Sequence, residues 1–209
     1  ITADATNVYW VDSTSTGAVL SLARTAAGGT PVTVAPAQVS AEQITVDSTN
    51  VYWTTTGSSA LKPVGTVAQA AVGGGQLLTL ATAQLDPRGI AVDGSHVYWT
   101  AGHGILSGVV MQVFIGGGGV VTVAAGQNEP QGVVVDDSAG DASPTVYWTN
   151  GGDGTVMSAP AGGGGQVTTL ATGQVGAQAI AFDSTSLYWV TNGALTSGPN
   201  GTVMKLTPR

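Results

Sequence analysis

The chain has 209 residues, enough for one sizeable domain, and only 8% of them are charged, with a formal net charge of −7. Its five Lys and Arg residues are too few and too scattered for the basic surface that nucleic acid demands, and anionic membrane surfaces are disfavoured for the same reason. Cysteine is absent, so neither a disulfide nor a thiol nucleophile is on offer, and no apolar run approaches the length of a membrane span.

The chain opens on "ITADATNVYWV", two short apolar segments joined by a turn, and "ITVDSTNVYWT" repeats the phrase from Ile44. A third copy, "GIAVDGSHVYWT", spans Gly89 to Thr100 and leads to "GVVMQVFI" (Gly108–Ile115) and a glycine run. The fourth, "VVVDDSAGDASPTVYWT" from Val133, carries six extra residues in its middle. It continues through "GTVMSAPA" (Gly154–Ala161), a second glycine run and "QVTTLAT" (Gln166–Thr172). The fifth, "IAFDSTSLYWV" from Ile180, is followed by "GTVMKLTPR" and stops after its third segment. Each segment is rich in β-branched or aromatic residues and bounded by turn formers, which predicts strands throughout and no long helix.

The motif Trp falls at positions 10, 53, 99, 148 and 189, a period of roughly 40–50 residues that suits a propeller blade. Triplets such as "IAV" and "VYW" are apolar on both faces, whereas a half-exposed strand alternates. Blades stacked face to face around an axis cover their inner strands on both sides, which accounts for the pattern. The expectation is an all-β propeller, one domain over 1–209, with blade units near 1–43, 44–89, 90–132, 133–179 and 180–209.

"LDPRGIAVD" (Leu85–Asp93), "IAVDGSHVYWT" and their relatives resemble the YWTD family of propellers and, less closely, NHL-type ones. The resemblance covers the whole chain and implies a fold more than a function. The second acid of the family motif survives only as Asp12; Thr55, Ala101, Asn150 and Thr191 stand at the matching positions. YWTD propellers usually have six blades, against five units here. Either residues beyond the termini complete the ring, or a last blade without its outermost strand presents an open edge for pairing.

The tryptophans are expected to pack between blades instead of forming a sugar-binding platform. Asp4, Asp47, Asp93, Asp136 and Asp183 each begin a turn whose backbone amides an Asp side chain can accept. The runs Gly73–Gly75, Gly116–Gly119 and Gly162–Gly165 lie between strands and read as hairpin loops, not phosphate cradles. "NGGDGT" (Asn150–Thr155) and "DDSAGD" (Asp136–Asp141) have oxygen ligands but not the spacing of a known calcium loop, so no cofactor is expected and calcium stays an alternative. His96 and His103 are placed in different loop types.

One set of positions varies while its frame repeats. Just before each innermost strand stand Glu42, Arg88, Gln131 and Gln178. They are the candidate ligand-binding residues, expected around the mouth of a central channel, with Glu42 opposing the cation Arg88 and His103 at the edge. The function expected is a non-enzymatic, secreted, periplasmic or cell-surface binding module for a protein or glycan. The alternatives are a propeller lyase or hydrolase with an axial polar or calcium site, and an assembly protein that self-associates through the edge of its last blade.

Overall fold

The repeated phrase folds as a hairpin because its Asp closes the turn and its Tyr-Trp pair is apolar on both sides of the second strand. In a computed structural model of the protein, residues 1–14, 16–25, 28–56, 64–102, 107–138, 144–193 and 201–207 are described. They form nineteen strands and no helix, hence none long and apolar enough to cross a membrane.

The strands make five antiparallel meanders. The first sheet joins β1 (Thr2–Ala3), β2 (Asn7–Asp12), β3 (Ala18–Ala23) and β4 (Val32–Pro36). The second joins β5 (Ala41–Val46), β6 (Asn50–Thr55), β7 (Gly65–Ala71) and β8 (Leu78–Gln84). The third holds β9 (Ile90–Val92), β10 (His96–Ala101), β11 (Gly108–Phe114) and β12 (Val121–Gln127). The fourth is built from β13 (Pro130–Asp136), β14 (Thr145–Asn150), β15 (Thr155–Pro160) and β16 (Thr168–Ala171). The fifth has three strands, β17 (Ala177–Phe182), β18 (Leu187–Thr191) and β19 (Thr202–Leu206). Four strands per repeat, with the last sheet one short, is the arrangement the sequence predicts.

By its internal contacts the chain divides into two compact units, Ile1–Val97 with Val113–Gly119, and Tyr98–Gln112 with Val120–Arg209. In the first unit, Tyr9, Val19, Val34 and Ala35 of the first sheet pack with Ile44, Val51, Trp53 and Ala68 of the second. In the second unit, Tyr147 and Val156 of the fourth sheet pack with Leu187 and Trp189 of the fifth. Each core is therefore one sheet face laid on the next, so the middle strands are apolar on both sides. Trp53, Trp99 and Trp148 are fully enclosed, Trp189 nearly so, and Trp10 is half-buried.

The Asp turns repeat in detail. Asp47 Oδ1 accepts the amides of Thr49 and Asn50, both at 2.7 Å, and its Oδ2 accepts the Tyr52 hydroxyl at 2.7 Å. Asp4 and Asp183 hold their turns and Tyr9 and Tyr188 in the same way. The tyrosine of the motif thus adds a donor to the capping carboxylate beside the turn's two amides and Thr hydroxyl, which explains a polar ring inside an apolar strand. The glycine runs are hairpin loops with positive φ, as at Gly74 (79°) and Gly117 (83°).

Candidate functional site

Each connection from a fourth strand to the next first strand is built on two left-handed residues. Ala37 (57°) and Ser40 (57°), Ala83 (56°) and Asp86 (46°), Gly126 (70°) and Glu129 (50°), and Gly173 (71°) and Gly176 (67°) occupy the two places. Glycine adopts this conformation freely, yet five of the eight positions carry side chains, so there it is imposed by surroundings and not by local preference.

The surroundings are a glutamine bridge. Gln38 follows the first left-handed residue; its Nε2 donates to the Pro36 carbonyl at 2.9 Å, which turns its Oε1 toward the Trp53 indole, 2.8 Å away. Gln127 does the same with the Ala125 carbonyl and Trp148 Nε1, and Gln174 with the Thr172 carbonyl and Trp189 Nε1. Gln84 repeats the bond to its own carbonyl, at Thr82. Among the described residues Trp10 has no such acceptor. A buried indole N–H needs a partner, and this one comes from the preceding sheet, which ties connection to core.

The second left-handed residue delivers the chain to the candidate positions, three of which, Glu42, Gln131 and Gln178, lie in β-bulges, while Arg88 stands just before β9. Ala41 pairs with Thr55 and Ile44 with Trp53, so Glu42 and Gln43 together face the single residue Thr54. Gln131 and Gly132 likewise face Thr149, and Gln178 and Ala179 face Val190. Bulges of this kind redirect a side chain out of the regular pleat.

The motif threonine then links each lead-in to the next. Thr54 Oγ1 accepts the Gln43 amide at 3.3 Å and donates to the Arg88 carbonyl at 3.0 Å. Thr149 Oγ1 accepts the Gly132 amide at 3.1 Å and donates to the Gln178 carbonyl. Thr100 donates to the Gln131 carbonyl at 2.6 Å. The contact is close: a Cβ on Gly132 would stand 2.5 Å from the Gln178 carbonyl oxygen.

Within the first unit one hydroxyl thus joins the Gln43 amide, next to Glu42, to the Arg88 carbonyl; within the second another joins the Gly132 amide, next to Gln131, to the Gln178 carbonyl. His103 lies outside the described residues, as do the last residues of "DDSAGD". Arg88 Nε and Nη2 meet Asp86 Oδ2 at 2.9 and 2.8 Å, and that carboxylate is itself buried. Gln131 Nε2 reaches the Glu129 carbonyl at 3.3 Å, while Glu42 and Gln178 are exposed.

Charge in the turns is settled by hydrogen bonds. Backbone amides of Asn7 and Thr6 and the Tyr9 hydroxyl hold the Asp4 carboxyl far below its ordinary value, and Thr185 and Tyr188 hold Asp183 down to about 2. Burial works against ionisation of Asp47, but the Tyr52 hydroxyl and the Asn50 and Thr49 amides outweigh it and leave its pKa lowered. Tyr9 and Tyr52 are pushed up, by burial first and by their Asp partners second. Among the described residues no group of three or more His, Asp or Glu side chains is placed to hold a metal. In "NGGDGT", Asn150 Nδ2 instead donates to Gln127 Oε1 and Thr155 Oγ1, both at 3.0 Å, and Thr155 donates to Asp153.

No protein-family model matches the chain, and no curated protein matches it in sequence. Solved structures do match in fold. A streptogramin B lyase aligns over 100% of this chain and 67% of its own, at 16% identity and a TM-score of 0.69. The calcium-binding protein regucalcin from Agrobacterium tumefaciens aligns over 100% of this chain and 76% of its own, at 15% identity and a TM-score of 0.66. TolB from Acinetobacter baumannii aligns over 97% of this chain and 53% of its own, at 14% identity and a TM-score of 0.62. The chain has a β-propeller fold. At these identities the likeness carries the architecture and leaves each neighbour's chemistry with the neighbour.

The sequence reading missed the glutamines and the threonine relay. A signal existed for the first: Gln38 and Gln174 each stand fifteen residues before the tryptophan they serve, and Gln127 twenty-one before Trp148, the insertion accounting for the difference.

Proposed function

We propose that this propeller, with its YWTD-like repeats, is a non-enzymatic recognition module that presents the lead-ins to its innermost strands to a protein or glycan partner. The reading rests on one observation: four connections share the same two left-handed positions, and three of them an indole bridge, while the side chain that emerges differs in charge and shape. Glu42 supplies an anion, Gln131 and Gln178 supply amides, and Arg88 supplies a guanidinium already steered by Asp86. A fixed backbone with variable polar tips keeps the conformational cost of binding low while allowing specificity. The neighbours' activities, a lyase and a calcium-binding protein among them, do not by themselves extend to this chain.

The experiment is a screen against a glycan array and a displayed peptide library, followed by titration of the best binder against Glu42→Ala, Arg88→Ala, Gln131→Ala and Gln178→Ala. Loss of about tenfold or more at two or more positions, with unfolding midpoints unchanged, supports the proposal; about tenfold is one well-made hydrogen bond or charge contact. A binder indifferent to all four substitutions places recognition elsewhere and refutes it.

A further inference from the structure

The hairpin between the third and fourth strand of a sheet is seated differently from one sheet to another. In the second unit, Gln112 on β11 reaches the next sheet, where its Oε1 accepts the Gly162 amide of the hairpin at 2.9 Å. A Cβ on Gly163 would run into the Thr122 carbonyl oxygen and stand 3.1 Å from Val121 Cγ1, so this hairpin lies on the outer strand before it. In the first unit, the second sheet's hairpin lies on the first sheet in the same sense. A Cβ on Gly74 would stand 3.6 and 3.7 Å from the Val34 and Thr33 carbonyl oxygens.

The third sheet's hairpin, which belongs to the first unit, makes neither contact. Its backbone copies the second sheet's, with φ of 83° and 138° at Gly117 and Gly118 against 79° and 138° at Gly74 and Gly75. Yet a Cβ on Gly117 would meet nothing within 4 Å. Gln69 holds on β7 the register that Gln112 holds on β11, opposite Leu78 as Gln112 is opposite Val121. Its Oε1 is buried and has no partner. Hairpin length supplies the reason: the fourth sheet's, closed by Ser158 and Thr168, is one residue longer than the third's, closed by Gln112 and Val121. Beside Gln69, Leu77 and Leu78 are 44% and 39% exposed. The seam has no charge of its own, since β7, β8 and the run Val113–Gly119 contain no ionisable side chain. Its flanks do: the Val72 amide donates to the Thr49 carbonyl and the Ile115 amide to Ser95, so each hairpin begins beside a turn capped by Asp47 or Asp93.

We propose that the seam between β7–β8 and the Gly116–Gly119 hairpin is a docking groove for an extended segment of a partner protein, apolar at its centre and flanked by Lys or Arg. The molecule itself shows what the groove lacks, because at the matching place a peptide amide serves Gln112. The partner's main-chain N–H takes that role at Gln69, whose part-exposed side chain swings its carbonyl outward. An apolar side chain of the partner covers Leu77 and Leu78, and its basic flanks face the carboxylates of Asp47 and Asp93. A buried acceptor left without a donor costs free energy, which a partner that supplies the donor recovers on binding. The hairpins stand at the opposite end of each sheet from the lead-ins, so the groove is independent of the recognition surface proposed above.

The test selects a phage-displayed library of random nonapeptides on the full chain and titrates the most enriched peptide by fluorescence anisotropy. Peptides with an uncharged apolar centre and a basic flank should be enriched, and their saturable binding should slow amide exchange at residues 116–119. Gln69→Ala should weaken binding about tenfold, the worth of one hydrogen bond to a buried acceptor. Leu78→Asp should weaken it at least as much, because a charge replaces an apolar contact. Leu78 is exposed, so this second variant keeps its fold even where Gln69→Ala does not. The proposal is overturned by a library that yields no binder, by enriched peptides without basic flanks, or by a peptide that binds both folded variants with unaltered affinity. It is also overturned if the Gly116 amide exchanges slowly in the free chain and rapidly in Gln69→Ala, since the chain's own hairpin would then already serve the acceptor.

Discussion

Gln127→Ala should be the most damaging single change to the connections between sheets. Its Oε1 accepts two donors, Trp148 Nε1 at 2.9 Å and Asn150 Nδ2 at 3.0 Å, where Trp148 and Asn150 are 0% and 2% exposed. Truncation leaves both donors in a site that already holds an unpartnered acceptor, Asn150 Oδ1. Each abandoned buried group costs about 1–3 kcal/mol, and entering water recovers part of it, so a net loss of about 2–4 kcal/mol is expected. That is a large share of a typical domain's stability, about 5–15 kcal/mol. Gln174→Ala is the internal control: it removes the acceptor of Trp189 from a half-buried residue, and about 1 kcal/mol should go. Urea unfolding followed by tryptophan fluorescence and by far-ultraviolet circular dichroism measures both. Gln127→Glu adds a check on sign, since a carboxylate keeps the acceptor but opposes the Ala125 carbonyl that Nε2 now serves. That variant should be weak at neutral pH and recover on acidification, when the protonated carboxyl can donate. A Gln127→Ala loss no greater than that of Gln174→Ala would refute the reasoning.

Glycine substitutions separate backbone strain from steric contact. Gly126→Ala, at φ 70° with nothing within 4 Å of the added Cβ, should cost about 1 kcal/mol, as Ala37 and Ala83 tolerate the same conformation. Gly132→Ala should cost more, about 2–3 kcal/mol, because its Cβ meets the Gln178 carbonyl at 2.5 Å; equal midpoints in urea would contradict this. Thr54→Val removes the hydroxyl that joins the Gln43 amide to the Arg88 carbonyl and should lose about 1–2 kcal/mol in the same assay. The lowered carboxyls of Asp4, Asp47 and Asp183 give stability that is present above the unfolded carboxylate range and lost as pH falls from about 4 toward 2. The raised hydroxyls of Tyr9 and Tyr52 work at the other end, their contribution present below about pH 10 and lost above it. Tyr52→Phe should flatten both limbs of a stability–pH profile; an unchanged acid limb would show that the hydroxyl does not hold Asp47.

Much of the fold was legible because its causes are local. The Asp turn, the strand on either side of it and the glycine hairpins each need residues within a few positions of one another, and the chain repeats them in register. The candidate site was legible only as a column of unequal residues. That Glu42 and Gln131 sit in bulges follows from register against the next strand, and register depends on a bridge to a tryptophan in another sheet. Arg88 illustrates the limit: Asp86 was two residues away in plain view, but only its left-handed backbone turns that carboxylate onto the guanidinium.

Taken alone, the order of residues decided how many sheets the chain makes, where each turns, and that both faces of the middle strands are covered, since hydrophobic period and turn chemistry act over short distances. Tertiary structure decided what the polar groups do. The glutamine and the threonine acquire their roles from partners far away in the chain, an indole in the next sheet and a carbonyl in the next lead-in, which only the folded chain brings within reach.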